Sequence, residues 1–483
     1  SGQQLLSVDG EAVRLLRYVA GRLVEIAATG WLLLLSLSAG LIPAPVQAFC
    51  GFYVSQADTS LFNDVSKVAL VRDGDRTVVT MAADYRGDVS EFSMVIPVVD
   101  VPLREQINVA NPALLEHLDR YTAPRLVEYY DPDPCQDPML DRVVVTGSRI
   151  KRADIESASP VFAVDDRVTI EAEYEVGEYD ILILSAEQSD GLIGWLTDNG
   201  YQIPAGAEEV VGAYLKRGMK FFVARVALDR HSGSSVLRPI QIAYEDENFM
   251  LPIRLGTVNA EGQQELFVFA LTRQGRVETR NYRTRKLPSD LDVPIYIKDE
   301  FGDFYRDLFT EQVAQSDGRS VFLEYAWDMA WCDPCAAEPL SRGELRSLGV
   351  MWLDDGRDWS PSQQRSRQGV DVFVTRLHLR YDGESFPEDL DFQVTGDRKN
   401  FQGRYVLRHA WRGDFGQCEA AGQYAESLVS RWDQEAQTLA KLTGRDVEKI
   451  QSRMAAEGLS AEALNGWKQQ PKKSWWQRLW GNG

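Results

Sequence analysis

Trp331-Cys332-Asp333-Pro334-Cys335 is the stretch whose residue types and spacing most directly suggest chemistry. Two thiols separated by two residues suit thiol–disulfide exchange, in which one thiolate attacks and the second thiol resolves the mixed disulfide. Cys332 would be the nucleophile and Cys335 the resolving thiol, behind a strand-like run from Val321 to Trp327. Asp333 opposes this, because an anion beside a thiol raises its pKa. Pro339 and Gly343 also interrupt the helix that such a site needs next. The structural alternatives are a local bridge, or separate bridges to Cys135 and Cys418, and we take the cysteines as structural. The disulfide candidates are Cys50, Cys135, Cys332, Cys335 and Cys418, and their spacing does not choose a pairing.

Other catalytic constellations find little support. His117, His231, His378 and His409 are scattered, with no HExxH pair. Zinc needs four ligands at workable spacing, and one CxxC with isolated His378, His409 or Cys418 does not supply them. Asp73/Asp75 and Asp131/Asp133 lie in acidic turns without a full calcium loop. There is no GxSxG, no Walker loop and no GxGxxG, and paired carboxylates cannot be picked out among 72 acids. We therefore expect no metal and no cofactor, and lean against an enzyme.

Charge bounds the partners. Asp and Glu total 72 against 52 Lys and Arg, a formal net charge of −20 over 483 residues. Phosphate backbones are bound by clustered cations, so nucleic acid is excluded as the main partner. The exception is the tail, where Trp467, Trp475, Trp476 and Trp480 alternate with Lys468, Lys472, Lys473 and Arg478. Trp with Lys and Arg suits a membrane–water interface, so Trp475, Trp476 and Trp480 are candidates for envelope contact. The alternative is docking on the protein's own acidic body.

The elements that must position these residues begin after an export signal. Ile26 to Ile42 is an apolar run of about 17 residues, short for a membrane span. Arg14, Arg17 and Arg22 precede it, and Val46-Gln47-Ala48 closes it, which places signal-peptide cleavage after Ala48. Phe49 before Cys50 argues against a lipoprotein. Export puts the cysteines where disulfides form, in the periplasm or outside the cell.

Lys67–Val71 and Arg76–Met81 flank Arg72-Asp73-Gly74-Asp75 and predict a hairpin. A strand follows over 92–99, then a helix capped by Asn111 with Pro112 in its first turn. Helices are expected at 191–199 and 207–217 between strands 179–186 and 219–228. Strands are expected at 249–256, 264–272 and 276–282. The chain ends helically: Ala421, Tyr424, Leu428, Trp432, Leu439 and Leu442 share one face of a helix that Gly444 stops. Asp446 caps another, which Gly458 stops. Four units echo one another, each a strand ending in Tyr, an acidic turn and a strand. They centre on Tyr85, Tyr174, Tyr244 and Tyr381, and suggest antiparallel meanders.

The sum is an α+β chain: a β-rich body of antiparallel hairpins with interspersed helices and a C-terminal helical segment. Its divisions are a signal peptide at 1–48, a β-rich region at 49–140 and a surface insertion at 141–166. An α+β region at 167–290, a CxxC-bearing region at 291–415 and the helices and tail at 416–483 complete it.

The runs CGFYVSQAD, TAPRLVEYYDPDPC, VGEYDILILSA, WLTDNGYQIP, LRPIQIAYE and EYAWDMAWCDPC resemble a bacterial exported family, domain-of-unknown-function family 2330. The resemblance covers residues about 50–345 and implies secretion, with no activity to carry over. A second, short segment, VVVTGSRIKRADIESASPV at 143–161, resembles the plug start of TonB-dependent receptors. That likeness implies a periplasmic protein partner that adds Val143, Val144, Val145 and Thr146 as a strand. The alternative is a surface insertion.

Overall fold

The computed structural model describes residues 52–55, 62–63, 66–82, 85–86, 92–136, 168–199, 203–204, 206–227, 230, 237–259, 262–330, 338–354 and 370–468. The signal segment, Cys50, Cys332, Cys335, the 143–146 segment, and Trp475, Trp476 and Trp480 lie outside them.

The α+β reading holds. A nine-stranded sheet forms the centre, in the order Arg283–Lys286, Ser320–Asp328, Phe373–Tyr381, Gln264–Thr272, Ser66–Asp73, Arg76–Ala82, Ile240–Glu245 and Ile107–Val109, with Phe401–Gln402 paired beside Ser320–Asp328. The hairpin Ser66–Asp73/Arg76–Ala82 forms where the Asp-Gly turn predicts it. A five-stranded sheet takes Phe52–Ser55, Phe92–Val98, Lys220–Val226, Tyr179–Ser185 and Thr169–Val176.

The five-stranded sheet is wholly antiparallel, but the nine-stranded sheet is mixed. Gln264–Thr272 runs parallel to Ser66–Asp73, and Arg283–Lys286 parallel to Ser320–Asp328. A small sheet, Leu291–Asp292, Arg404–His409 and Arg125–Tyr130, is parallel throughout. Parallel partners need long crossover connections. Of the four echoing units, only the one around Tyr174 is a paired hairpin, turning on Gly177 at φ +57°. In the other three, the strands on either side enter different sheets. The strand expected at 249–256 shrinks to Met250–Leu251, since Pro252 has no N–H to pair and the chain turns into the short helix Gly256–Asn259.

Alternation along the central strands feeds two cores. Val68, Leu70, Leu266 and Val268 pack towards Ile96, Ile181 and Phe222 of the five-stranded sheet. Ala69, Val71, Phe269 and Leu271 pack under Leu114, Leu115 and Leu118 of the helix Pro112–Thr122. Asn111 caps that helix by accepting from the Ala113 N–H at 3.0 Å. The helices Ser189–Asp198 and Ala207–Lys216 cover the far face of the five-stranded sheet. The long helix Glu419–Thr443 packs against Phe301–Ala314 and the parallel sheet, and ends at Gly444, φ +68°.

Charge is buried at the centre. Arg376 and His378 stand on the same face of Phe373–Tyr381, and Glu324 stands beside them on Ser320–Asp328. Arg376 Nε donates to Glu324 Oε2 at 2.5 Å, and His378 Nδ1 lies 2.6 Å from Glu324 Oε1. Arg376 also pairs with Asp119, which Lys67 meets at 2.6 Å. The His378 ring is sandwiched between Phe309 and Phe267, with centroids at 3.6 and 4.0 Å. Burial alone would drive His378 neutral, but Glu324 and Glu265 outweigh it and hold its pKa above the ordinary value. Burial likewise pushes Glu324 up, and Arg376 with His378 hold it down.

Removing one member of such a pair strands the other charge in low dielectric, a loss of about 3–5 kcal/mol. Glu324→Gln should therefore destabilise by that order in urea denaturation. Lys67→Ala, at the half-exposed end of the chain of pairs, should cost about 1 kcal/mol or less.

Candidate functional site

Two distant cysteines frame the site. Cys135 and Cys418 form a disulfide with Cα atoms 6.0 Å apart across a sequence separation of 283. Cys135 follows the strand Arg125–Tyr130, and Cys418 precedes the helix Glu419–Thr443. The bond therefore ties the edge of the parallel sheet to the start of that helix. Neither partner remains to bridge Cys332 or Cys335, which removes that alternative for the CxxC motif.

Beneath the bridge, Asp131 gathers two side chains of the helix. Tyr424 Oη donates to Asp131 Oδ2 at 2.6 Å, and Arg431 Nη1 donates to the same oxygen at 2.6 Å. Tyr424 Oη in turn accepts the Trp411 N–H at 2.9 Å. Burial and the Asp131 carboxylate push the Tyr424 hydroxyl up to about 12, so it stays a donor.

One and two turns further along the helix from Arg431, its polar residues face the parallel sheet across a cleft of about 510 Å³. Arg431, Gln434, Glu435 and Thr438 form one wall. Tyr129, Asp292, Arg404 and Arg408 are on the facing strands. Arg408 Nε donates to Asp292 Oδ2 at 3.0 Å, and Arg404 Nε to Asp290 Oδ1 at 2.6 Å, so these arginines arrive paired. Tyr129 is 46% exposed, with the Arg408 guanidinium over one face of its ring at 5.6 Å.

Glu435 is the exception. It is 2% exposed, and its Oε1 is buried without a hydrogen bond. The nearest cation, Arg431 Nε, stands 3.7 Å away, too far to bond. Nε and Nη2 of Arg431 are themselves buried and unpartnered. Burial raises the Glu435 pKa to about 8, Asp292 and Asp131 add to the rise, and Arg431 offsets only part of it. At neutral pH Glu435 is a buried carboxylic acid, able to donate one hydrogen bond and accept others.

The sequence candidates divide accordingly. Cys135 and Cys418 meet at this site, with Asp131 beside them. His378 is enclosed by carboxylates and rings, and His409 stacks on Tyr130 at 4.3 Å and meets Glu128 at 2.8 Å. Among the described residues, no group of three His, Cys, Asp or Glu is placed to hold a metal. Glu435 and Arg431 escaped the sequence reading. The available signal was an acid between Trp432 and Leu439 on the face that buries Leu428, Trp432 and Leu439.

Residues 44–393 match the model of a family described as an uncharacterized protein conserved in bacteria (DUF2330). The chain belongs to this family. No curated protein and no solved structure matches it. The DUF2330 match takes in the buried Arg376–Glu324–His378 group, Asp131, and part of the sheet wall of the cleft, Tyr129, Asp290 and Asp292. The strand Arg404–His409, between Leu291–Asp292 and Arg125–Tyr130 in the same sheet, and the helix Glu419–Thr443, which forms the opposite wall, lie beyond the matched residues.

Two outcomes are expected. Non-reducing peptide mapping should recover a Cys135–Cys418 cross-linked peptide, and reduction should lower the unfolding midpoint by the equivalent of about 2–5 kcal/mol. Glu435 has a folded pKa above its unfolded value, so the folded state holds the extra proton between the two. Stability should fall as pH rises from the ordinary Glu range to about 8. Glu435→Gln should flatten that decline, matching the wild type near pH 4 and exceeding it above pH 8 in pH-dependent denaturation.

Proposed function

We propose that this bacterial DUF2330 chain is an exported, non-enzymatic binding protein that seats a small polar solute in the cleft between Glu419–Thr443 and the parallel sheet. The observation that carries the reading is the pair of unpartnered groups at the cleft wall, Glu435 and the Arg431 edge. Buried polar atoms are satisfied in the great majority of cases. A fold gains nothing from leaving a carboxyl and a guanidinium edge unbonded, and a ligand that completes their hydrogen bonds gives them a use.

Export rests on the 1–48 segment and agrees with a disulfide between residues 283 apart in sequence. Among the described residues, no helix is long and apolar enough to cross a membrane. Thiol–disulfide exchange at Cys332 and Cys335, and strand docking through 143–150, rest on sequence motifs alone. The tail with Trp475, Trp476 and Trp480 remains the segment best suited to envelope contact.

A thermal-shift screen of small polar solutes on the wild type and on Thr438→Trp, which fills the cleft, tests the reading. A ligand at a hundredfold excess over its Kd should stabilise the wild type by about 2.7 kcal/mol and leave Thr438→Trp unmoved. Stabilisation equal in both proteins, or none from any polar solute, would contradict it. N-terminal sequencing of protein recovered outside the cytoplasm should begin at Phe49, and protein retained in the cytoplasm with residues 1–48 intact would refute export.

A further inference from the structure

The identity of the recognised group follows from which atoms are left unbonded. The guanidinium of Arg431 has two edges. Nη1 is committed to Asp131. Nε and Nη2, whose N–H bonds point the same way, form the other edge and are without partners. Two parallel N–H donors in a plane match the two oxygens of a carboxylate, the bidentate geometry for which arginine is suited. Glu435 faces the same edge from one helical turn away, and as a neutral acid it adds a third donor. Three donors with no acceptor charge of their own make a receptor for an anion.

The other charges in the cleft are balanced. Arg404 is paired with Asp290, Arg408 with Asp292, and the far edge of Arg431 with Asp131. With Glu435 neutral the site has no uncompensated acid to repel an anion. Gln434 and Thr438 offer neutral hydrogen-bonding groups, and the exposed ring of Tyr129 offers a surface for a carbon skeleton.

Resting on the cleft as the binding seat, we propose that the ligand is a small organic carboxylate, held bidentately by Arg431 Nε and Nη2, with the Glu435 acid donating to the same group. The Glu435 carboxyl, 3.7 Å from Arg431 Nε, shifts aside within the buried wall to admit the ligand carboxylate and so keeps the burial that holds its proton. Binding then depends on the proton at Glu435. The charged groups that face it are Arg431 on its own helix, Asp292 and Arg408 from the parallel sheet, and Asp131 below the disulfide. As pH rises through the Glu435 pKa, the third donor becomes a second anion and the ligand is repelled.

Isothermal titration of the mature protein with acetate, succinate and D-glucuronate, beside D-glucose and inorganic phosphate, tests this. At pH 6 at least one carboxylate should bind, and glucose at the same concentration should not. Arg431→Lys, which keeps the charge but loses the fork, should weaken binding about tenfold or more while its unfolding midpoint stays near that of the wild type. Raising the pH to 9 should weaken binding to the wild type by a similar factor, while Glu435→Gln, whose amide still donates, should bind alike at both. Glucose bound while the carboxylates are not would overturn the carboxylate assignment and leave the binding reading standing. Phosphate bound while carboxylates are not, or carboxylate binding unchanged in Arg431→Lys, would also overturn it. No binding by any of the five overturns the assignment, and a screen of polar solutes that also finds nothing removes the binding reading with it.

Discussion

Burial of Arg376, Glu324 and His378 inside the central sheet constrains everything around them. A guanidinium with no exposed surface to speak of is tolerable only when its donors are met, and here Glu324 and Asp119 meet them. Ser320–Asp328 meets that requirement with a register shift between Leu323 and Tyr325 against Phe373–Tyr381, which sets Glu324 beside Arg376 and His378. The same requirement holds the helix Pro112–Thr122 down through Asp119, and the helix Phe301–Ala314 through Tyr305, whose hydroxyl donates to Glu324. The stacked rings of Phe309 and Phe267 exclude water from His378 and strengthen the pairings. Three layers of the molecule thus depend on one group of charges.

The cleft is understood by contrast with that group. In the central sheet each carboxylate meets cations, and burial does not win: Glu324 stays below the ordinary carboxylate range. At Glu435 burial does win, because Arg431 stands off at 3.7 Å, Arg408 acts only weakly, and Asp292 and Asp131 push the same way as burial. The same chain therefore shows both outcomes for a buried acid. One sits in a network where Glu324 bonds Arg376, His378 and Tyr305, with only His378 Nε2 of that group left without a hydrogen bond, and the other leaves its own Oε1 unbonded beside a cleft. The Cys135–Cys418 bond ties the sheet wall of that cleft to the start of the helix that forms the other wall.

Local elements were legible in the sequence, and the long-range ones were not. Gln264–Thr272 forms with the bounds its apolar run predicts, and Asn111, Gly444 and Asp446 act as the caps and stops they resemble. Periodicity and capping are properties of neighbouring residues. The alternation in Phe373–Tyr381 looks like a strand with one face in water, yet its Arg376 and His378 are buried under helices that begin far away in the chain. Likewise a Tyr followed by an acidic turn looks like a hairpin four times, while sheet membership decides that only one is. The cysteine pairing was beyond spacing arguments, and Glu435 looked like one acid among 72.

The central claim is that Glu435 is an unpartnered, neutral carboxylic acid in the ligand-free protein at neutral pH. Infrared difference spectroscopy of the wild type against Glu435→Gln measures this directly. The account predicts a protonated-carboxyl C=O band at pH 7 that is absent from the variant and that titrates away near pH 8. A Glu435 signal found only as ionised carboxylate at pH 7, with its proton lost in the ordinary Glu range, would contradict it.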